Sequence, residues 1–417
     1  MKSIKHALLA TSVLGCLSAQ AGNESSAEPA ASSSSSATGL LLGKFPGDTT
    51  FDRMWSAFTL YKDDSNPILQ EFSLQGRSQI QYADGDSSTK DYQESGKTES
   101  VWRDHFDARR NRVGFKSKWF QNWKLEGQIN IDPDGEDESN DNTYYKDLYD
   151  LYITYAPSDA LNVSVGKTKV KFSREQEISS KEILTFERSL VSNLLFPGEL
   201  TGAWVNGKGI ADHWLYEFGV YGNDRVREFS EFNDGAIILG KIGYDYSSQA
   251  GLDSAVASLH FMHNTEPDLL KTTDTDWAGS STPPFSTSIG LTNDITHGRF
   301  GLTTDLLYGI GDDDLGQSDV LGISFIPSYF IADGLQLVGR LQVASAADPD
   351  GLSLPGRYEG TSDTTDGSGN TYTSAYLGIN YYIYGHKLKL MNGVEYSHLG
   401  GGDYDGFTFL SGLRFSF

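Results

Sequence analysis

From about Pro67 to Phe417, apolar and polar side chains alternate with a period of two, segment after segment. Phe72, Leu74, Ile80 and Tyr82 oppose Glu71, Ser73, Gln75, Arg77, Gln79 and Gln81. Leu125, Ile129 and Ile131 oppose Lys124, Glu126, Gln128 and Asn130, and Leu388, Leu390, Val394 and Tyr396 oppose Lys387, Lys389 and Glu395. A strand points successive side chains to opposite faces, so each segment predicts a strand with one oily and one polar face. The pattern predicts about sixteen, over residues 69–82, 105–118, 123–132, 148–155, 161–170, 200–206, 214–222, 236–246, 254–262, 285–291, 297–308, 320–327, 335–345, 373–384, 387–398 and 407–417. The last keeps its oily face up to Phe417, with no polar tail.

The connections alternate too. Residues 83–104, 133–147, 171–199, 223–235, 263–284, 309–319, 346–372 and 399–406 form mostly long, polar loops. Between them fall short links at 120–122, 157–159, 208–212, 247–252, 293–296, 328–334 and 385–386. Short turns at one end and long loops at the other are the layout of an outer-membrane barrel. A basic side chain facing lipid costs ~2–4 kcal/mol at the midplane, so faces this charged must meet water. The expected fold is all-β: a transmembrane antiparallel β-barrel of about sixteen strands with a wet, charged lumen.

Composition sharpens this picture. Lys2 and Lys5, an apolar stretch over 6–14 and Ala19-Gln20-Ala21 read as a secretory signal over residues 1–21. Val13-Leu14-Gly15-Cys16 loosely resembles a lipoprotein box, but Leu14 is unusual there, and Cys16 is the only cysteine. Residues 22–66 are expected to form a Ser/Ala-rich linker and a short periplasmic segment, with Phe51, Trp55 and Phe58 at helical spacing; the barrel takes 67–417. A net charge of −23, two units more negative without the signal, argues against nucleic acid. Beyond the signal, no apolar run reaches the ~18–20 residues of a spanning helix.

No enzyme signature emerges: zinc-helix, phosphate-loop and nucleophile-elbow motifs are absent. His260 and His263 fall on opposite faces, and Asp132-x-Asp134-Gly135-x-Asp137 lacks an EF-hand's glycine position, so neither a metal nor a cofactor is expected. The basic residues carry the chemistry. Arg110, Arg112 and Lys116 share a face; Arg77 on the first strand, Arg414 on the last and, further off, Arg340 point the same way. Guanidinium forks suit phosphate and carboxylate oxygens. The alternative is that these cations pair with inward acids such as Glu71 and Glu126 and only stiffen the wall. After Val165, Gly166 is expected to shift the phase as a bulge would, turning Lys167, Lys169 and Lys171 to the lumen. Loop 171–199 is too apolar to wave in water (Ile183, Leu184, Phe186, Leu190, Leu194, Leu195, Phe196), so it is expected to fold inward, delivering Ser179, Ser180, Lys181 and Arg188 to a constriction. Packing outward against a neighbouring subunit is its other option.

Four stretches carry a family resemblance: Arg109-Arg110-Asn111-Arg112-Val113-Gly114-Phe115; Val165-Gly166-Lys167-Thr168-Lys169 running into Phe172-Ser173; Ser179-Ser180-Lys181 with Thr185-Phe186-Glu187-Arg188-Ser189; and Phe417. From about Gln70 onward the chain resembles the phosphate-selective porins O and P of Gram-negative outer membranes. The resemblance implies a sixteen-stranded, trimeric anion channel with an arginine ladder and a constriction loop after the fifth strand. It also implies that Phe417 is the signal read by the barrel-assembly machinery. Lys171 replaces the family's proline before Phe172-Ser173, and acidic residues crowd the expected outer loops, at 134–141, 312–314, 363, 366, 403 and 405. Such acids could repel anions at the mouth within a Debye length of about 8–10 Å.

The expected function is passive conduction of small anions, phosphate among them, across the outer membrane. A general or cation-preferring pore is the nearest alternative. A secreted all-β binding protein or adhesin is the alternative from another class, and a barrel-borne hydrolase lacks a nucleophile constellation.

Overall fold

A computed structural model describes residues 49–87, 101–131, 144–224, 226–230, 232, 235–267, 285–312, 316–355, 368–402 and 404–417. The signal at 1–21, Cys16, the linker, and acids 134–141, 313–314, 363, 366 and 403 lie outside the described residues.

Among the described residues sixteen strands form the barrel. They are β1 (Leu69–Ser87), β2 (Val101–Trp119), β3 (Trp123–Ile131), β4 (Tyr145–Ser158), β5 (Leu161–Lys169), β6 (Glu199–Ile210), β7 (Trp214–Gly222), β8 (Ala236–Asp245), β9 (Ser254–Asn264), β10 (Thr287–His297), β11 (Phe300–Ile310), β12 (Val320–Ala332), β13 (Leu335–Ala346), β14 (Thr371–Tyr384), β15 (Leu388–Gly400) and β16 (Tyr404–Ser416). Each pairs antiparallel with its sequence neighbours, and β16 returns to β1 from Ser416↔Arg77 to Gly406↔Ser87, so the sheet closes with no free edge. No described helix is long and apolar enough to cross a membrane; the chain crosses with strands.

Alternation fixes which face is which. Along β12 Val320, Gly322, Ser324, Ile326, Ser328 and Phe330 are buried inward, while Leu321, Phe325, Tyr329 and Ile331 are exposed outward. Leu341 and Val343 on β13, Leu377 and Ile379 on β14, and Phe407 and Phe409 on β16 continue that exposed apolar skin. On a membrane barrel this skin is the lipid contact.

Three departures from the sequence reading have local causes. β1 and β2 each run 19 residues, reaching into the stretch expected to be loop. The turn expected at 293–296 lies instead beyond His297↔Phe300, because Asp294 faces inward and pairs with Arg174 at 2.7 Å. β12 runs on past Pro327 to Ala332. Proline has no N–H to donate, and the β12–β13 ladder skips from Phe325↔Leu341 to Ser328↔Val338, which accommodates it.

Short turns demand left-handed backbone. Phe120 and Gln121 take φ of 47° and 67°, and Ala211 and Asp212 take 46° and 70°, the twist that matches tight hairpins.

Ahead of the barrel, helix α1 (Thr50–Ser56) starts with a capping box between Thr49 and Asp52. Trp55 is buried against Tyr384 and Phe415, and its Nε1 donates to the Ser416 carbonyl at 2.7 Å. The chain continues as a short strand, Thr59–Lys62, paired to β1 at Glu71–Ser73, and Phe58 stacks on Phe417 with ring centroids 3.9 Å apart. Trp55→Ala is expected to cost about 3 kcal/mol. A lower temperature for loss of compact gel mobility in detergent is the readout.

Candidate functional site

Residues 170–198, between β5 and β6, fold into the barrel. Phe172, Leu190, Val191 and Leu195 are buried against Leu239, Met262, Leu307 and Val320 of the inner wall. The wall makes room with glycines: a side chain at Gly322 would meet Val191, and one at Gly309 would meet Leu195. An outward-packing loop is thereby excluded.

The segment Phe186-Glu187-Arg188-Ser189 is an anchoring device in which each residue does a separate job. Phe186 packs among Ile326, Val338, Tyr376, Met391 and Leu410, under the Arg414 guanidinium at 5.4 Å. Glu187 accepts from Arg109 Nε at 2.6 Å and Nη2 at 3.1 Å, and from Arg110 Nη2 at 3.2 Å. Arg188 turns back into its own loop, donating to the carbonyls of Glu175 at 2.6 Å and Ile178 at 2.8 Å. Ser189 caps helix α3 (Leu190–Leu194). At the other limb, helix α2 (Arg174–Glu177) is held because Asp305 of β11 accepts from the backbone N–H groups of Arg174 and Glu175. Glu175 in turn accepts from Ser324 Oγ and the Ser189 N–H. Lys241 pairs with Glu177. Donors from β1, β13, β14 and β15 seize loop carbonyls: Gln79 takes Ser180, Arg340 takes Glu187, Asn380 takes Leu184 and Lys389 takes Ile183. So many buried attachments leave the loop one position.

Arg77, Arg110, Arg112, Lys116, Arg340 and Arg414 all sit on inward register positions. Arg77 donates to Ser180 Oγ at 2.5 Å and Gln128 Oε1 at 3.2 Å. Arg112 donates to Asn130 Oδ1 at 2.6 Å and lies over the Tyr149 ring at 3.3 Å. Lys116 pairs with Glu126 at 3.2 Å and keeps 47% of its side chain exposed although it faces inward, so water reaches the bore there. Lys181 is half-buried on the loop; burial, then the positive charges of Arg77 and Lys116, pull its amine down to about 8. Ser179 turns the loop, its carbonyl accepting from Glu182 and Ile183. Arg340 Nη2 donates to both carboxylate oxygens of Glu395 at 2.7 and 2.9 Å, and Arg110 donates to Gln79 and Glu187. Arg414 donates to Gln79 and Gln81, each at 2.6 Å.

Other assignments change. No bulge occurs at Gly166; the ladder passes it in register on both sides, and it takes φ 135° where a side chain would strike the β4 backbone. Lys167 is therefore turned away from the constriction, its ammonium held by the carbonyls of Val226 and Arg227 at 2.9 and 2.8 Å. Lys169 donates to the Gln176 carbonyl and braces the loop, Lys171 is exposed within electrostatic reach of Glu217, and Arg188 fastens the loop. His260 is buried inward and its neighbour His263 faces out, as strand alternation requires.

Sequence reading missed Arg109, Tyr149 and Glu187. A register shift in β2, between Gln79↔Arg110 and Ile80↔Ala108, skips Arg109 in the strand register and turns both arginines inward, where both meet Glu187. A matching shift in β4 frees Tyr149 to lie under Arg112. The signal was available: strict alternation would have put Arg109 in lipid at ~2–4 kcal/mol, so two consecutive arginines in a spanning strand call for a bulge.

A closed barrel with a lipid-facing skin and a basic, loop-narrowed bore defines an outer-membrane porin. The profile of the phosphate-selective porin O and P family matches residues 72–312, and the chain belongs to that family. No curated protein matches it. Two solved structures share the fold: the outer-membrane-expressed OmpT of Vibrio cholerae (11% identity, 86% of this chain and 100% of that one, TM-score 0.51) and the anion-selective porin from Comamonas acidovorans (12% identity, 83% and 100%, TM-score 0.52).

Proposed function

We propose that this porin passively conducts small anions, inorganic phosphate among them, exported by the signal at residues 1–21 and working as a homotrimer. Selectivity resides in Arg77, Arg110, Arg112, Lys116 and Lys181 where the loop meets β1 and β2. One observation carries the reading. Among the described residues Arg77 and Arg112 donate to neutral partners and Lys181 makes no salt bridge. Asp147, Asp150, Glu126 and Glu182 act on these cations only from beyond salt-bridge distance, so the guanidinium and ammonium groups remain available to a passing anion. The family match and the anion-selective relative from Comamonas acidovorans support it. The net charge of −23 favours the cation-passing alternative. The sign of the zero-current potential across a planar bilayer under a KCl gradient decides: an anion-signed potential supports the proposal and a cation-signed one rejects it.

The amine of Lys181 adds a pH signature. Its charge is present below about 8 and lost as pH rises through that value. Anion preference should therefore fall between neutral and alkaline pH, and the step should vanish in Lys181→Met.

A further inference from the structure

Two carboxylate–guanidinium contacts inside the barrel look alike and differ in solvation. Arg340–Glu395 is buried, with side-chain exposures of 3% and 9%. Arg109–Glu187 is more open, at 23% and 20%, although Arg110, the second partner of Glu187, keeps only 8% of its side chain exposed. Breaking a fully buried pair strands a charge out of water, whereas a pair that water can reach on one side exchanges at lower cost, above all when the incoming group is itself an anion. One carboxylate serves two guanidiniums, Arg109 and Arg110. Its forked geometry is the one a phosphate or carboxylate anion would adopt on the same donors. The Glu187 backbone is fixed independently: its carbonyl accepts from Arg340 at 2.5 Å and Thr185 Oγ1 at 2.7 Å, between the anchored Phe186 and Arg188. The side chain can leave the arginines while the loop stays.

We propose that Glu187 is an internal occupant of an oxyanion cradle formed by Arg109 and Arg110, and that its carboxylate competes with passing anions for those donors. It is a specificity-determining residue: it sets how strongly an anion is held in the bore by making that anion displace a tethered one. The inference rests on the anion-conducting reading of the passage.

The test uses the purified full-length chain in planar bilayers, with inorganic phosphate as the probe. Glutamine at 187 keeps an acceptor for Arg109 and removes the charge. Glu187→Gln should raise the anion-to-cation permeability ratio about fivefold, since one unit charge leaves the bore. Phosphate should then block chloride current at a concentration about tenfold lower, because vacated charge-assisted donors bind it directly. Glu187→Asp keeps the charge but shortens the reach to Arg109; its zero-current potential should match the parent while phosphate block still tightens, by about threefold. In Arg109→Gln/Glu187→Gln the tightened block should disappear. Unchanged phosphate block in both single variants, each shown by gel mobility to be folded, overturns the inference. A parent pore that proves cation-selective sinks the anion reading alone, because tightened block in the variants would still mark Glu187 as the occupant.

Discussion

Replacing Arg110, Arg112 and Lys181 together with glutamate should reverse the ion preference from anion to cation. Each replacement swaps one positive for one negative charge on or beside the inward-folded loop. At about 8 Å in water a unit charge shifts an ion's energy by roughly 0.5 kcal/mol, and by more beside a protein wall. Three such reversals sum to several kcal/mol, enough to invert a permeability ratio. The zero-current potential under a KCl gradient should change sign. Arg112 and Lys181 are half-buried, whereas Arg110 is buried against Glu187, so compact gel mobility of the variant is checked before its potential is read. An unchanged sign would move selectivity elsewhere, to Arg77 or to the mouth.

Phe186→Ala should have the largest effect on the loop. The ring is 1% exposed, packed among side chains of β12 to β16 and under Arg414. Truncating a buried phenylalanine costs about 3–5 kcal/mol. The neighbouring contacts of Glu187 and Arg188 cannot replace that packing, so the loop should loosen. Single-channel conductance should rise as the bore widens, and thermal stability in detergent should fall. A lower melting temperature with unchanged conductance would show that the loop does not limit flow.

Strand number, the handedness of each face and the inward loop were legible because period-two alternation and an apolar loop state directly where burial lies. Turn positions were not, where a polar run such as Asn293-Asp294 imitated a turn while Asp294 was reserved for Arg174 across the lumen. The same limit governs the site. Arg77, Arg110 and Arg112 followed from alternation, but Arg109 required a break in it, and Lys167 was misplaced by assuming a break that does not occur. The part played by Arg188 depends on carbonyls of its own folded loop, a tertiary fact that local pattern does not encode.

The seam where Trp55 meets Ser416 and Phe58 meets Phe417 joins positions some 361 residues apart along the chain. Contacts that distant cannot form until nearly everything between them has been made and set side by side, so their entropic cost falls late. The cylinder should therefore behave as a zipper ring whose clasp is the final event. Partly inserted chains would wait open at that single joint, and the aromatic stack there would set how fast they commit.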